Sequence, residues 1–206
     1  MNKAPLIGIS RLRMGTDGHG VTTLVAFHGC PLRCKYCLNP QSLKDDAKVM
    51  MRSPEEIMDI LHKDELYFKA TNGGVTFGGG EPLLRTEFIK QVLELGAKEW
   101  HITIETSLNV PRKNLENVFT YIHEYVVDIK DMNPTIYKAY TGKDNELLKS
   151  NLKWLIEQGM AEHITCRIPL IPEFNTPENQ QQSKAELEAM GITRFDIFTY
   201  KTNIKK

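Results

Sequence analysis

A chain of 206 residues, 41% apolar and 25% charged, is long enough for one sizeable domain that buries roughly 70% of its unfolded surface, and too apolar for a disordered segment. Its 26 basic and 26 acidic side chains cancel, and no basic run exceeds the terminal Lys205-Lys206 pair, which argues against nucleic acid as the main partner. The start has no apolar stretch long enough for a signal peptide, and nowhere do about 20 apolar residues run together, so the expectation is a cytoplasmic protein with no membrane partner and with reduced cysteines.

Taken in order, six apolar, β-branched runs read as strands: residues 21–27, 75–77, 101–105, 126–129, 163–168 and 194–198. Helical patterns cover 54–66, 85–96, 112–123, 145–158 and 177–190. Ser53-Pro54-Glu55-Glu56 supplies an N-cap, a first-turn proline and a capping-box glutamate, and Thr176-Pro177 opens another helix in the same way. Alternating strands and helices imply an α/β fold of parallel strands with right-handed crossovers, either doubly wound or barrel-like. With no repeat or linker, 1–206 reads as a single domain.

In such folds chemistry sits at the carboxyl ends of the strands. Those ends read Gly29-Cys30, Gly78-Gly79-Gly80-Glu81 and Glu105-Thr106, with Asp128 and Lys130 on the fourth strand and Arg167 on the fifth. Strand alternation predicts that Asp128 and Lys130 share one side. An Asp-Lys salt bridge of purely structural purpose is the alternative for that pair.

Residues 28–37, HGCPLRCKYC, place Cys30, Cys34 and Cys37 at C-x3-C-x2-C spacing, far from Cys166. Structural zinc wants four ligands, so His28 or Cys166 would have to complete the set. A 4Fe-4S cluster accounts better for an odd number, since three thiolates leave one iron open to a substrate or cofactor. Cys166, alone on a strand, reads as a small buried hydrophobe. The glycine run lets backbone approach a ligand closely; it matches neither phosphate-binding fingerprint, and a plain structural turn stays open.

Cys30-x3-Cys34-x-Tyr36-Cys37 together with Gly78-Gly79-Gly80-Glu81-Pro82 resembles the signature of the radical S-adenosylmethionine (radical SAM) superfamily. The resemblance implies a 4Fe-4S cluster whose open iron chelates S-adenosylmethionine, and reductive cleavage of that cofactor to a 5'-deoxyadenosyl radical. Asp17-Gly18-His19-Gly20, Asp128-Ile129-Lys130-Asp131-Met132-Asn133, Tyr140-Thr141-Gly142 with Asn145, and Arg167-Ile168-Pro169-Leu170-Ile171-Pro172 with Asn175 are similar to glycyl radical enzyme activases of the pyruvate formate-lyase type. That similarity implies a partial (β/α)6 barrel open on one side. It also implies a cofactor site lined by Asn39, Glu105, Thr106, Asp128, Lys130 and Arg167, with a monovalent cation beside Glu105, Thr106 and Asp128.

The sequence departs from the activase pattern at His19, where proline is usual, at Leu38, where histidine is common, and at Glu105, where aspartate is typical; these bear on the adenine contacts and the cation site. The chain stops after the sixth strand, at Tyr200-Lys201, without the C-terminal segment of longer activases, so a wide lateral opening is expected. Such an opening suits a protein substrate, a glycyl radical enzyme offering a glycine loop. No cysteine lies between Cys37 and Gly78, so one cluster is expected, with its electron coming from an external flavodoxin or ferredoxin. Competing readings are modification of a peptide or small metabolite, activation of anaerobic ribonucleotide reductase, and a zinc-stabilised binding module.

Overall fold

The computed structural model describes residues 2–15, 17–97 and 99–200; Lys201, Lys205 and Lys206 lie outside the described residues. Among the described residues eight strands form: β1 Ala4–Met14, β2 Val21–Phe27, β3 Met50–Arg52, β4 Gly74–Gly79, β5 His101–Thr106, β6 Glu124–Asp128, β7 Ile164–Leu170 and β8 Arg194–Thr199. Seven helices accompany them among the described residues: α1 Pro54–His62, α2 Glu65–Thr71, α3 Thr86–Glu94, α4 Arg112–Val118, α5 Pro134–Thr141, α6 Glu146–Glu157 and α7 Pro177–Ala189. The strands hydrogen-bond in the order β3-β1-β2-β4-β5-β6-β7-β8, so the sheet has two ends and does not close into a barrel. Pairing is parallel for β2 with β4, β4 with β5 and β7 with β8, and antiparallel for β1 with β2 and β3. The six expected strands are present; β1, β3, α5 and the part of α2 beyond residue 66 are additions to the sequence reading. No helix among the described residues is long and apolar enough to cross a membrane.

The chain divides into two compact units. The first contains the described residues of Met1–Cys30, Asn39–Thr106 and Val110–Val126. Its register places Leu24, Thr76 and Thr103 in one row and Ala26 beside Gly78 in the next, so apart from Leu24 this sheet face carries small and polar residues. The alternate residues, Val25, Phe27, Val75, Phe77, Ile102 and Ile104, are fully or almost fully buried. Phe27 meets Phe88 of α3 edge-on at 6.0 Å between ring centroids, which seats that helix on the apolar face. Each such side chain contributes about 1.5–3 kcal/mol of hydrophobic stabilisation.

The capping box at Ser53 forms as the sequence predicts, with Glu56 returning the bond to the Ser53 N–H. The helix expected over 54–66 is nevertheless divided at Asp64. This carboxylate is fully buried, accepts from Arg11 Nε at 3.0 Å and Nη2 at 2.6 Å, and accepts from Thr23 Oγ1 at 2.7 Å. Tying β1 and β2 to the α1–α2 junction outweighs continuing one helix. The loop holding Asp17-Gly18-His19-Gly20 lies at the amino ends of β4 and β5. A Cβ on Gly18 would come within 2.7 Å of Thr103 Oγ1, and His19 faces His101 at 6.0 Å. His19 is exposed and stands at that amino end of the strands.

The second unit contains the described residues of Pro31–Leu38, Ser107–Asn109 and Val127–Lys206. Its apolar interior includes Tyr137, Leu148, Leu152, Leu155, Ile168 and Leu187, all buried. Asn133 Oδ1 caps α5 by accepting from Thr135 N at 2.9 Å and Ile136 N at 3.3 Å, and Gly142 ends the helix in the left-handed region at φ +79°.

Candidate active site

In the first unit, the end of β4 and the turn after it are built around missing side chains. Gly79 has φ +94°, and a Cβ there would stand 2.8 Å from Ala26 Cα. A Cβ on Gly78 would crowd Glu105 Oε2 at 3.1 Å and Leu24 Cδ1 at 3.2 Å, so the bare backbone is what seats the Glu105 carboxylate over β4. Gly80 N donates to Phe27 O at 2.9 Å, and Glu81 N donates to Gly29 O at 2.8 Å. The last amide of the glycine run and the one after it are thus engaged with the segment leading to Cys30. The run can offer an ammonium group its carbonyl oxygens, which is the chemistry such a group needs.

Glu81 is 1% exposed. Its Oε1 accepts from Leu83 N at 3.2 Å and from Thr106 Oγ1 at 2.6 Å, so it caps the 3-10 turn Pro82–Arg85 and fixes the Thr106 hydroxyl. Asn39 Nδ2 donates to Gly79 O at 2.9 Å and steadies the glycine turn. Glu81, Thr106 and Asn39 thus do supporting work that spacing alone could not reveal. His28 Nε2 lies 2.9 Å from Lys44 O, a donor's position toward a carbonyl.

In the second unit, a part-buried ion pair and four aromatic rings surround the far part of the cysteine loop. Lys130 Nζ donates to Asp128 Oδ2 at 3.0 Å, with side-chain exposures of 12% and 29%. The two side chains meet as expected, but not by strand alternation. β6 ends at Asp128, and Lys130 stands at φ +61° in a tight turn closed by Asp131 N donating to Ile129 O at 2.7 Å. A lysine there is strained by about 1–3 kcal/mol, the kind of strain that collects at functional sites. Burial by itself would depress the ammonium; Asp128 foremost, with Cys34, Tyr200 and Tyr140, holds it well above the ordinary lysine value.

The turn rests on a polar network drawn from three of the sequence motifs. Asp131 accepts from Asn133 N at 2.8 Å, from Asn175 Nδ2 at 3.1 Å and from Ser183 Oγ at 3.4 Å, while Asn145 Nδ2 donates to Met132 O at 2.9 Å. Burial nonetheless raises the Asp131 carboxyl above its usual value. Arg167 pairs with Asp196 across β7 and β8 at 3.3 Å, and its carbonyl accepts from Ile129 N at 3.0 Å.

Cys30, Cys34 and Cys37 are part-exposed, reduced thiols on a segment without regular structure. The part of that segment in the second unit is pinned by its backbone, with Arg33 N donating to Thr141 O at 2.8 Å and Lys35 N to Tyr140 O at 3.2 Å. The carbonyls of the Tyr140-Thr141-Gly142 motif therefore hold the cysteine loop in place. Burial pushes the Cys34 thiol up to about 11, while Lys130 pulls the other way, toward thiolate.

Tyr36 donates from its hydroxyl to Glu173 Oε2 at 2.8 Å, and its ring stands 5.9 Å from Phe174, 6.2 Å from Tyr140 and 6.5 Å from Tyr200. Sequence reasoning missed Glu173, Phe174 and Tyr200; the positive φ of Glu173, +70°, has no signature in a one-dimensional pattern. Cys166 is fully buried in β7, its thiol pushed up to about 12 by burial, as befits a small hydrophobe.

Among the described residues no three His, Cys, Asp or Glu side chains are gathered as a metal-binding group. The fit of an iron-sulfur cluster therefore rests on the donor chemistry: three thiols outside any disulfide, one of them next to a part-buried cation.

Residues 24–179 match the radical SAM superfamily. The chain is 38% identical over 189 residues to the pyruvate formate-lyase-activating enzyme of Clostridium pasteurianum, covering 90% of this chain and 78% of that one. It is 30% identical over 250 residues to the (2S)-3-sulfopropanediol dehydratase activating enzyme of Klebsiella oxytoca, again covering 90% and 78%. Among solved structures, SuiB of Streptococcus suis bound to the precursor peptide SuiA superposes with a TM-score of 0.66 at 20% identity, covering 96% of this chain and 42% of that one, a likeness of fold. The chain belongs to the radical SAM superfamily and, within it, to the glycyl radical enzyme activating enzymes.

Proposed function

We propose that the protein activates a glycyl radical enzyme by abstracting hydrogen from a glycine of that partner, with Cys30, Cys34 and Cys37 holding a 4Fe-4S cluster that binds S-adenosylmethionine. The observation that carries the reading is the superfamily match over residues 24–179, which takes in all three cysteines, together with relatives named as activating enzymes. When bound, the cluster and S-adenosylmethionine supply a 5'-deoxyadenosyl radical.

The protein's own residues bind and orient. Lys130 and Arg167 are the cations for the cofactor's carboxylate. Carbonyls of the Gly78-Gly79-Gly80 run suit its ammonium, while Asp128 and Glu105 suit hydroxyls or a cation. Tyr36 supplies an aromatic surface, and Asn39, Glu81 and Thr106 hold the glycine turn in shape. A monovalent cation served by Glu105, Thr106 and Asp128 belongs to the same proposal, as do a single radical SAM domain over 1–206, an external flavodoxin or ferredoxin as electron donor, and a cytoplasmic location without nucleic-acid or membrane partners. A glycine Cα radical is favourable because the flanking amide nitrogen and carbonyl delocalise it.

The test is isotopic. The reconstituted protein is incubated anaerobically with S-adenosylmethionine, a reductant and a glycyl radical enzyme loop peptide whose glycine Cα carries deuterium. The expected result is deuterium in 5'-deoxyadenosine and a glycyl radical signal; cofactor cleavage with neither would reject the activase reading.

A further inference from the structure

In the second unit, the sheet ends at β8, whose one strand neighbour among the described residues is β7. Tyr200 N donates to Leu170 O at 2.8 Å, and Gln180 Nε2 reaches Ile168 O at 2.7 Å and Phe198 O at 3.2 Å, so the even-numbered backbone groups of β8 face β7. By strand alternation the N–H and C=O groups of Phe195, Ile197 and Thr199 face outward. The register with β7 is unbroken from Arg194 to Thr199, so no bulge blunts this edge. Both charged side chains of β8 are engaged on the β7 side: Asp196 pairs with Arg167, and Arg194 Nη1 donates to Glu162 O at 3.1 Å. Ile197, midway along the edge, is 46% exposed.

The edge leads toward the cysteine loop. The ring of Phe198 stands 6.2 Å from that of Tyr200, which stands 6.5 Å from Tyr36, between Cys34 and Cys37. An extended segment paired along Phe195–Thr199 and continuing past Thr199 arrives beside that part of the loop. Three outward residues are too short an edge for a stable dimer, which buries more than about 1,200 Å2, and suit a segment that must leave after reaction. We infer that an extended, glycine-bearing segment of the protein substrate adds to β8 as a further strand of the sheet.

The inference rests on the activase reading and adds how the substrate is held: by its main chain, with every second residue paired. Strand pairing fits a glycine in particular. No side chain shields its Cα, and extended backbone brings the two flanking amide planes toward coplanarity with that carbon, where both delocalise a radical. A second copy of this chain, pairing β8 with β8, is the rival occupant, and the test separates the two.

The reconstituted protein is titrated by calorimetry with the glycyl radical enzyme loop peptide and with a set of its copies, each N-methylated at one residue. Methylation should weaken binding about tenfold at alternate residues and leave those between unchanged, because only every second N–H points at β8. Ile197→Pro removes an outward N–H without touching a bond to β7 and should weaken binding of the unmodified peptide about tenfold. Ile197→Ala keeps that N–H and should cost about twofold to threefold. Methylation effects that are absent or fall on consecutive residues, an Ile197→Pro variant with the parent's affinity, or a parent that binds no peptide would each overturn the inference. So would self-association of the parent that Ile197→Pro abolishes while peptide affinity stays intact, which would give the edge to a second copy. The alternating pattern without deuterium transfer from the labelled glycine would reject the activase reading while upholding strand addition.

Discussion

The two units build their halves of the proposed chemistry in opposite ways. At the end of β4 the protein takes side chains away: Gly78, Gly79 and Gly80 bring backbone close, with Asn39 and the Glu81–Thr106 pair bracing the turn. At the end of β6 it adds charge at a cost in backbone strain, holding Lys130 at φ +61° against Asp128. The first region should break when atoms are added, the second when they are removed.

The largest effect should come from Lys130→Met. It leaves Asp128 without its cation while the strained turn persists, so unfolding stability in urea should fall by about 3 kcal/mol. Affinity for S-adenosylmethionine should fall by a further factor of roughly 30, as about 2 kcal/mol of charged hydrogen bonding is lost. Unchanged stability would mean that the pair adds nothing to the fold. Gly79→Ala tests the other region by addition. A side chain at φ +94° with Ala26 Cα 2.8 Å away should cost about 2 kcal/mol in the same urea titration; a neutral result would show that the turn has room.

Cys166 gives a pH test of the second unit's interior. Its folded thiol is pushed up to about 12, whereas an unfolded thiol ionises near 8.5. The stability it contributes is therefore fully present below about pH 8.5 and is lost as pH rises toward 12. The stability gap between parent and Cys166→Ala should narrow by roughly 1 kcal/mol per pH unit above pH 9; a constant gap would contradict burial of the thiol. Thr106→Val should be mildest, costing about 1 kcal/mol for the lost bond to Glu81. A cost near that of Gly79→Ala would make the Glu81 bracket as important as the glycine backbone.

The six expected strands and five of the helices were legible because period and caps agree, as at Ser53 and Thr176, both of which form capping boxes. β1 was hidden because Pro5 and Gly8 interrupt its pattern and its register shifts between Ser10 and Arg13, with Leu12 at φ +55°. β3 is three residues long, too short for any period, and α5 was masked by its β-branched and aromatic composition despite the Asn133-Pro134 cap. In the candidate site, Asp128, Lys130 and the cysteines announced themselves by residue type and position. The ring cluster of Tyr36, Tyr140, Phe174 and Tyr200 could not, since it joins residues far apart in sequence through packing alone. The same holds for Glu81, whose polar strand-end position suggested a ligand although its carboxylate caps a turn.

The central claim is that three thiols hold a cluster open to S-adenosylmethionine, and the most direct test is electron paramagnetic resonance of the anaerobically reconstituted, reduced protein with and without that cofactor, alongside assay of 5'-deoxyadenosine. The expected result is a 4Fe-4S signal that shifts on cofactor addition, with 5'-deoxyadenosine formed. A protein that retains zinc, gives no cluster signal and forms no 5'-deoxyadenosine would contradict it.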